Sequence, residues 1–209
     1  MMVEGKMQRA DFEKSLHQTI YSTQFFYGKE IQKQIGAILQ ECGASKVLVL
    51  TGNARLRSTG WYHQMMCSIE QVELNAFEFD SVEEEEQLEQ IELGIAFCKK
   101  HGIDYVLAVG GGNVIDAAKA IAMGACCDNC IWTYFTTAQK PIAALPVSVV
   151  LTIPGSGSES NDKTMLLNSD TLLKRTCQSD VLQPQVCFVN PEIFYTISKE
   201  QLAYATVML

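Results

Sequence analysis

The stretch Asp104–Lys119, DYVLAVGGGNVIDAAK, constrains the fold more than any other part of the chain. A short apolar run, Tyr105 to Val109, breaks into Gly110, Gly111 and Gly112, and Asn113 then opens a helical pattern through Ala118 and Ile121. The pattern predicts a strand, a tight turn and a helix. Backbone without side chains lets a ligand approach closely, and the first amides of a helix have no intrahelical acceptors. Such a helix start binds anions, phosphate above all. Asn113 is expected to cap this helix, with Asp116 three residues on returning a bond to the cap. One glycine would suit an ordinary capped turn. Three in succession after a buried strand favour a phosphate cradle.

Two common cradles are excluded. No Gly-Lys-Ser/Thr follows the glycines, as a P-loop requires. Ile115 stands where G-x-G-x-x-G needs its third glycine, and that fingerprint belongs to the first strand–helix unit, whereas this one begins beyond residue 100.

The rest of the chain supplies alternating elements. Ile20 to Tyr27 reads as a strand ending at Gly28-Lys29. Ile31, Ile35, Ile38 and Leu39 have helical spacing stopped by Gly43. Lys46 to Thr51 is a buried strand, a helix runs through Trp61 to Ile69, and Asn75 to Asp80 alternates as a short strand. Leu88, Ile91, Ile95 and Phe97 or Cys98 form an apolar helical stripe ending at Gly102. Ala144 to Thr152 and Cys187 to Val189 read as further strands, the second followed by an Asn190-Pro191 turn. Strands alternating with helices predict an α/β fold with a Rossmann-like, mostly parallel sheet and flanking helices. Ligands of such sheets lie beyond the carboxyl ends of the strands. Thr51-Gly52-Asn53, Gly110 to Asn113 and Thr152 to Glu159 all fall there, which makes a ligand cleft the natural reading.

Charge narrows the partners. A net charge of −8 argues against nucleic acid, which needs a basic face. The longest uncharged run, Pro141 to Ser158, carries Pro141, Pro146, Pro154, Gly155 and Gly157, so no membrane helix is expected. No basic-plus-apolar leader opens the chain, and a cytoplasmic protein with reduced, mostly buried cysteines is expected. Cys126, Cys127 and Cys130 make half of a zinc motif without a second pair. Glu83 to Glu86 reads as the solvated acidic first turn of a helix capped by Ser81 rather than as a metal site.

The GGGNVIDAAK segment at Gly110–Lys119, followed by LTIPGSGSESN at Leu151–Asn161, resembles the iron-containing alcohol dehydrogenase family, in particular its butanol-dehydrogenase-like branch. Phe26-Tyr-Gly-Lys29 and the stretch from Pro184 to Asn190-Pro-Glu192 are also similar to that family, so the resemblance spans nearly the whole chain. It implies the N-terminal domain of the dehydroquinate-synthase-like fold, with an NAD(P)-binding unit over residues 1–190. Residues 191–209 would begin a helical domain that holds a divalent metal, iron, zinc or a similar ion. Hydride transfer between nicotinamide and a primary alcohol or aldehyde is the implied reaction. By the same resemblance Gly110, Gly111, Gly112 and Asn113 would hold the pyrophosphate, and Asp116 would brace that loop and the nearby ribose. Thr152 with Gly155, Ser156 and Ser158 would line the adenine and ribose side, and Lys174 would lie near the cofactor. Gly52, Asn53 and Arg55 follow the second strand without an acid and with a base, an electrostatic argument for NADP, with NAD the alternative.

The family's metal ligands are not matched. The expected Asp falls at Met208, which cannot serve a hard divalent ion as a carboxylate does, and the expected His would lie beyond Leu209. His17, His63 and His101 resemble none of the ligands. The chain is therefore expected to be a truncated or degenerate member, or one whose tail is not the native continuation. Two functions remain open: the cofactor-binding half of an NADP-linked alcohol or aldehyde oxidoreductase, inactive alone, and a non-catalytic nucleotide-binding or interaction module. The Ile20–Phe26 strand is a candidate edge for a homodimer, and apolar surface left uncovered would promote self-association.

Overall fold

The computed structural model of the chain describes residues 23–52, 54–80, 87–197 and 203. Its main elements are β1 (Gln24–Tyr27), α1 (Ile35–Glu41), β2 (Lys46–Thr51), α2 (Gly60–Gln71), β3 (Asn75–Phe79), α3 (Leu88–His101), β4 (Tyr105–Gly110) and α4 (Gly112–Ala125). A short α5 (Thr133–Thr136) precedes β5 (Val147–Leu151), β6 (Lys163–Asn168), β7 (Leu173–Gln178) and β8 (Val186–Val189). Six strands form one sheet in the order β1-β8-β5-β4-β2-β3, every neighbouring pair parallel. This is the Rossmann-like α/β architecture expected from the alternating pattern.

The apolar runs of the central strands bury both faces, as parallel sheets with helices on each side do. Leu48, Leu50, Val106, Ala108 and Val149 face one layer with Ile91, Ile115 and Ile121 of α3 and α4. Val47, Val49, Tyr105, Leu107 and Val109 face the other with Ile35, Leu39, Met65 and Ile69 of α1 and α2. α4 is buried continuously from Val114 to Gly124, because α3, the sheet and β6 surround it. α3 keeps an amphipathic stripe and stops at Gly102, whose φ of 64° is a left-handed end that glycine adopts without a Cβ penalty.

Three expectations change. α3 begins at Leu88 with Gln87 at its cap; Ser81 and Glu83–Glu86, the expected cap and acidic first turn, lie outside the described residues. β6 and β7 form an antiparallel hairpin where the periodicity predicts no element. Of the strand expected at Ile20–Tyr27, β1 covers Gln24–Tyr27 and does lie at the sheet edge; residues 20–22 and the helix expected at Asp11–Gln18 are not described. No helix among the described residues is long and apolar enough to cross a membrane.

Candidate functional site

The carboxyl ends of β5, β4 and β2 lie side by side. The loops that leave them are therefore neighbours too, and two of them interlock. The Thr152 amide donates to the Gly110 carbonyl at 3.1 Å. A Cβ on Gly111 would stand 3.5 Å from that of Ile153, and one on Gly112 would come within 2.7 Å of Ser156. At Gly110 the space a Cβ would need is filled by Val114, 2.5 Å away. Two of the three glycines thus have a reason inside the protein: they let the second loop and the first helical turn close on the strand end.

The cap differs from expectation. Gly111, extended at φ −95° and ψ −164°, is the N-cap of α4, and no side chain caps it. Asn113 is already the second helical residue and is exposed. Glycine needs no side chain to leave the strand and enter the helix, so the turn closes two residues earlier than a polar cap would place it. Asp116 lies in the second turn of the same helix. It is buried at 4% exposure; its carbonyl accepts the Thr164 hydroxyl at 2.7 Å and its Oδ2 accepts the Met165 amide at 3.4 Å. Asp116 braces the hairpin against α4. What remains at the turn is the start of a 14-residue helix without a side-chain cap, the arrangement that offers backbone donors to a phosphate.

Lys119, fully buried, fastens the far end of the second loop. Its Nζ donates to the Asn161 carbonyl at 2.8 Å, to Asn161 Oδ1 at 3.0 Å and to the Lys163 carbonyl at 2.8 Å. Burial pushes its pKa down to about 8, against the opposing charges of Asp116, Asp162 and Glu159. A lysine inside the run Ala117-Ala118-Lys119-Ala120-Ile121 was the available signal, because a buried charge must find partners.

A charged wall stands beside the glycine turn, at the tips of β2 and β3. The Thr51 hydroxyl donates to Asp80 Oδ1 at 2.7 Å. Arg57 Nε lies 2.9 Å from Glu78 Oε2, and its other end is paired with Asp80 Oδ1. Tyr62, 3% exposed, brings its hydroxyl to this group; burial first and the Glu78 charge second push its pKa up to about 12. That hydroxyl is buried with no hydrogen-bond partner among the described residues.

The other expected positions are distributed around this edge. Gly52 is half-buried after β2, whereas Asn53 and the Arg55 side chain lie outside what is described. Thr152 and Ser158 are buried, Ser156 exposed and Gly155 half-buried. Lys174 is exposed on β7 opposite Leu167, which bridges to Gln87 at the start of α3. All eight cysteines are free, and no group of three or more His, Cys, Asp or Glu that could hold a metal occurs among the described residues. The donor set of an iron site does not fit these residues. Met208 and His17 are not described.

The sequence profile described as "Iron-containing alcohol dehydrogenase" matches residues 22–191. The chain belongs to the iron-containing alcohol dehydrogenase family. Among its relatives is the probable NADH-dependent butanol dehydrogenase 2 of Bacillus subtilis, 33% identical over 88% of this chain and 47% of that protein. Another is the NADPH-dependent aldehyde reductase YqhD of Escherichia coli, 30% identical over 78% of this chain and 42% of that protein. The crystal structure of NADH-dependent butanol dehydrogenase A from Thermotoga maritima superposes with a TM-score of 0.85 at 32% identity, over 88% of this chain and 46% of that one. This iron-containing alcohol dehydrogenase family chain thus spans about half the length of the relatives it matches.

Proposed function

We propose that the chain binds a nicotinamide dinucleotide at the carboxyl edge of its sheet, as the cofactor-binding half of an NAD(P)-linked alcohol dehydrogenase or aldehyde reductase. The observation that carries the reading is the uncapped start of α4 locked against the Thr152–Ser158 loop. In this reading residues 1–190 are the dinucleotide domain, and 191–209 begin the helical, metal-binding part. The amides of the Gly110–Asn113 turn receive the pyrophosphate. Asp116 and Lys119 hold the hairpin and the loop around it, Thr152, Gly155, Ser156 and Ser158 flank the nucleotide, and Gly52, Asn53, Arg55 and Lys174 border its adenosine side.

The dinucleotide, when bound, carries the hydride exchanged with a primary alcohol or aldehyde. These residues orient the nucleotide and keep its phosphates against backbone donors. No group of three or more His, Cys, Asp or Glu that could hold a metal occurs among the described residues. Nucleotide binding without turnover is the second reading. Pairing of two copies along β1 would make a homodimer, because β1 is a sheet edge.

Titration of the 209-residue chain with reduced dinucleotides, followed by nicotinamide fluorescence, tests the proposal. Saturable binding is expected. Fluorescence that rises only linearly with both NADH and NADPH would sink the reading.

A further inference from the structure

We infer that Asp80 selects NAD(H) over NADP(H) at this site, a step that rests on the dinucleotide reading above. In doubly wound sheets the pyrophosphate sits at the glycine turn, and an acid at the tip of the adjacent strand receives the adenosine ribose hydroxyls. Here the glycine turn follows β4 and the adjacent strand on one side is β2. β2 ends in Thr51-Gly52 without an acid. The sheet supplies one from the next strand: β3 pairs with β2 up to Leu50 and Phe79, so Asp80 emerges beside Thr51 and takes its hydroxyl at 2.7 Å. Its side chain is 41% exposed, which leaves the carboxylate accessible from the crevice.

The same cluster answers the argument from basic residues. Arg57 is the base held at this edge, and its guanidinium is engaged by Glu78 on one side and Asp80 on the other. Two carboxylates against one guanidinium leave the wall net negative. The 2′-phosphate of NADP adds roughly two negative charges at neutral pH, as a phosphate monoester does, and meets a wall whose described cation, Arg57, is already paired with Glu78 and Asp80. A ribose carrying only hydroxyls meets an acceptor instead. The buried Tyr62 side chain backs the cluster, its hydroxyl beside Arg57 and Glu78.

The experiment is a pair of fluorescence titrations, NADH and NADPH, on the unaltered chain, on Asp80→Asn and on the double variant Asp80→Asn/Arg57→Gln. Far-UV circular dichroism checks that each is folded. NADH is expected to bind about tenfold more tightly than NADPH, the scale of one unscreened unit charge at the protein surface. Asp80→Asn should close or invert that ratio chiefly by strengthening NADPH, because it releases Arg57, and the double variant should lose the gain. A salt series on the unaltered chain needs no substitution: the preference should shrink between about 0.02 M and about 1 M salt as the repulsion is screened. Preference for NADPH, a ratio that Asp80→Asn leaves unchanged while both nucleotides bind, or a preference indifferent to salt would overturn the assignment and leave the dinucleotide reading standing. Binding of neither nucleotide to the unaltered chain would remove that reading and the assignment with it.

Discussion

The two sides of the sheet's carboxyl edge are built by different means. The wall at β4 and β5 is backbone and small residues: Gly111 at the cap of α4, Gly112 against Ser156, and an amide from Thr152 to the Gly110 carbonyl. The wall at β2 and β3 is side-chain charge: Asp80, Glu78 and Arg57, bound to the sheet through Thr51. The first is close-packed, because a Cβ added at Gly110 or Gly112 would collide, and its energetics should ignore salt. The second is held by partly exposed ion pairs that salt screens. Under the proposed dinucleotide reading, shape on one side would hold the phosphates and charge on the other would set the nucleotide preference.

The largest effect is expected where the rigid wall is anchored. Lys119→Met removes the ammonium donor from two part-buried carbonyls and from Asn161 Oδ1, which keeps only the Lys163 amide, a loss of about 3 kcal/mol and roughly 10 °C in melting temperature. The pH profile carries a sharper sign. The lysine's pKa is about 8 when folded against 10.5 ordinarily, so the unfolded chain binds more protons across that window and stability rises with pH there. Cys98 and Cys187, whose thiols burial pushes from 9 up to about 12, act the opposite way above pH 9. These thiols, with the raised Cys126 and Cys177, act alike in both chains, so chemical denaturation between about pH 8 and 9 should show the unaltered chain gaining roughly 1 kcal/mol relative to Lys119→Met. Equal changes in the two chains would exclude Lys119 as the source.

Next comes the contact between the loops. Gly112→Ala puts a Cβ within 2.7 Å of Ser156. Because the position is helical, alanine suits the backbone, and only the neighbouring loop objects. Dinucleotide affinity should fall about tenfold, with a modest change in stability of about 1 kcal/mol. Combining Gly112→Ala with Ser156→Gly removes the colliding side chain and should recover most of the affinity. If the double variant binds no better than the single one, the glycine serves the ligand directly rather than the loop.

The same contrast explains what the sequence discloses. β2, β4, β5 and β8 are legible because each is a continuous apolar run, and the glycine turn because its residues are adjacent in the chain. β6 and β7 are not: Leu173–Gln178 is exposed except at Cys177, so it carries no apolar alternation to read. The cap of α4 carries no signal, because a glycine in extended conformation fills that role without a side chain to announce it. The charged wall carries none either. Thr51, Arg57, Tyr62, Glu78 and Asp80 come from two strand tips, a turn and a helix, and only the pairing of β2 with β3 brings them together. Asn53 and Arg55, the residues local reasoning chose, are neighbours of that wall in the chain, whereas its acids arrive from the next strand.

The smallest expected effect separates the walls most cleanly. Arg57→Met removes the cation between Glu78 and Asp80, whose side chains are 35% and 41% exposed. Water screens much of what is lost, so the cost should be about 1 kcal/mol at low salt, or roughly 3 °C in melting temperature. Raising the salt to about 1 M shortens the screening length to about 3 Å and should bring the variant close to the unaltered chain. Gly112→Ala, whose defect is steric, should keep its deficit at every salt concentration. Were both deficits to survive at high salt, the β2–β3 wall would be held by packing around Tyr62 rather than by charge. Its nucleotide preference would then have to be sought in shape.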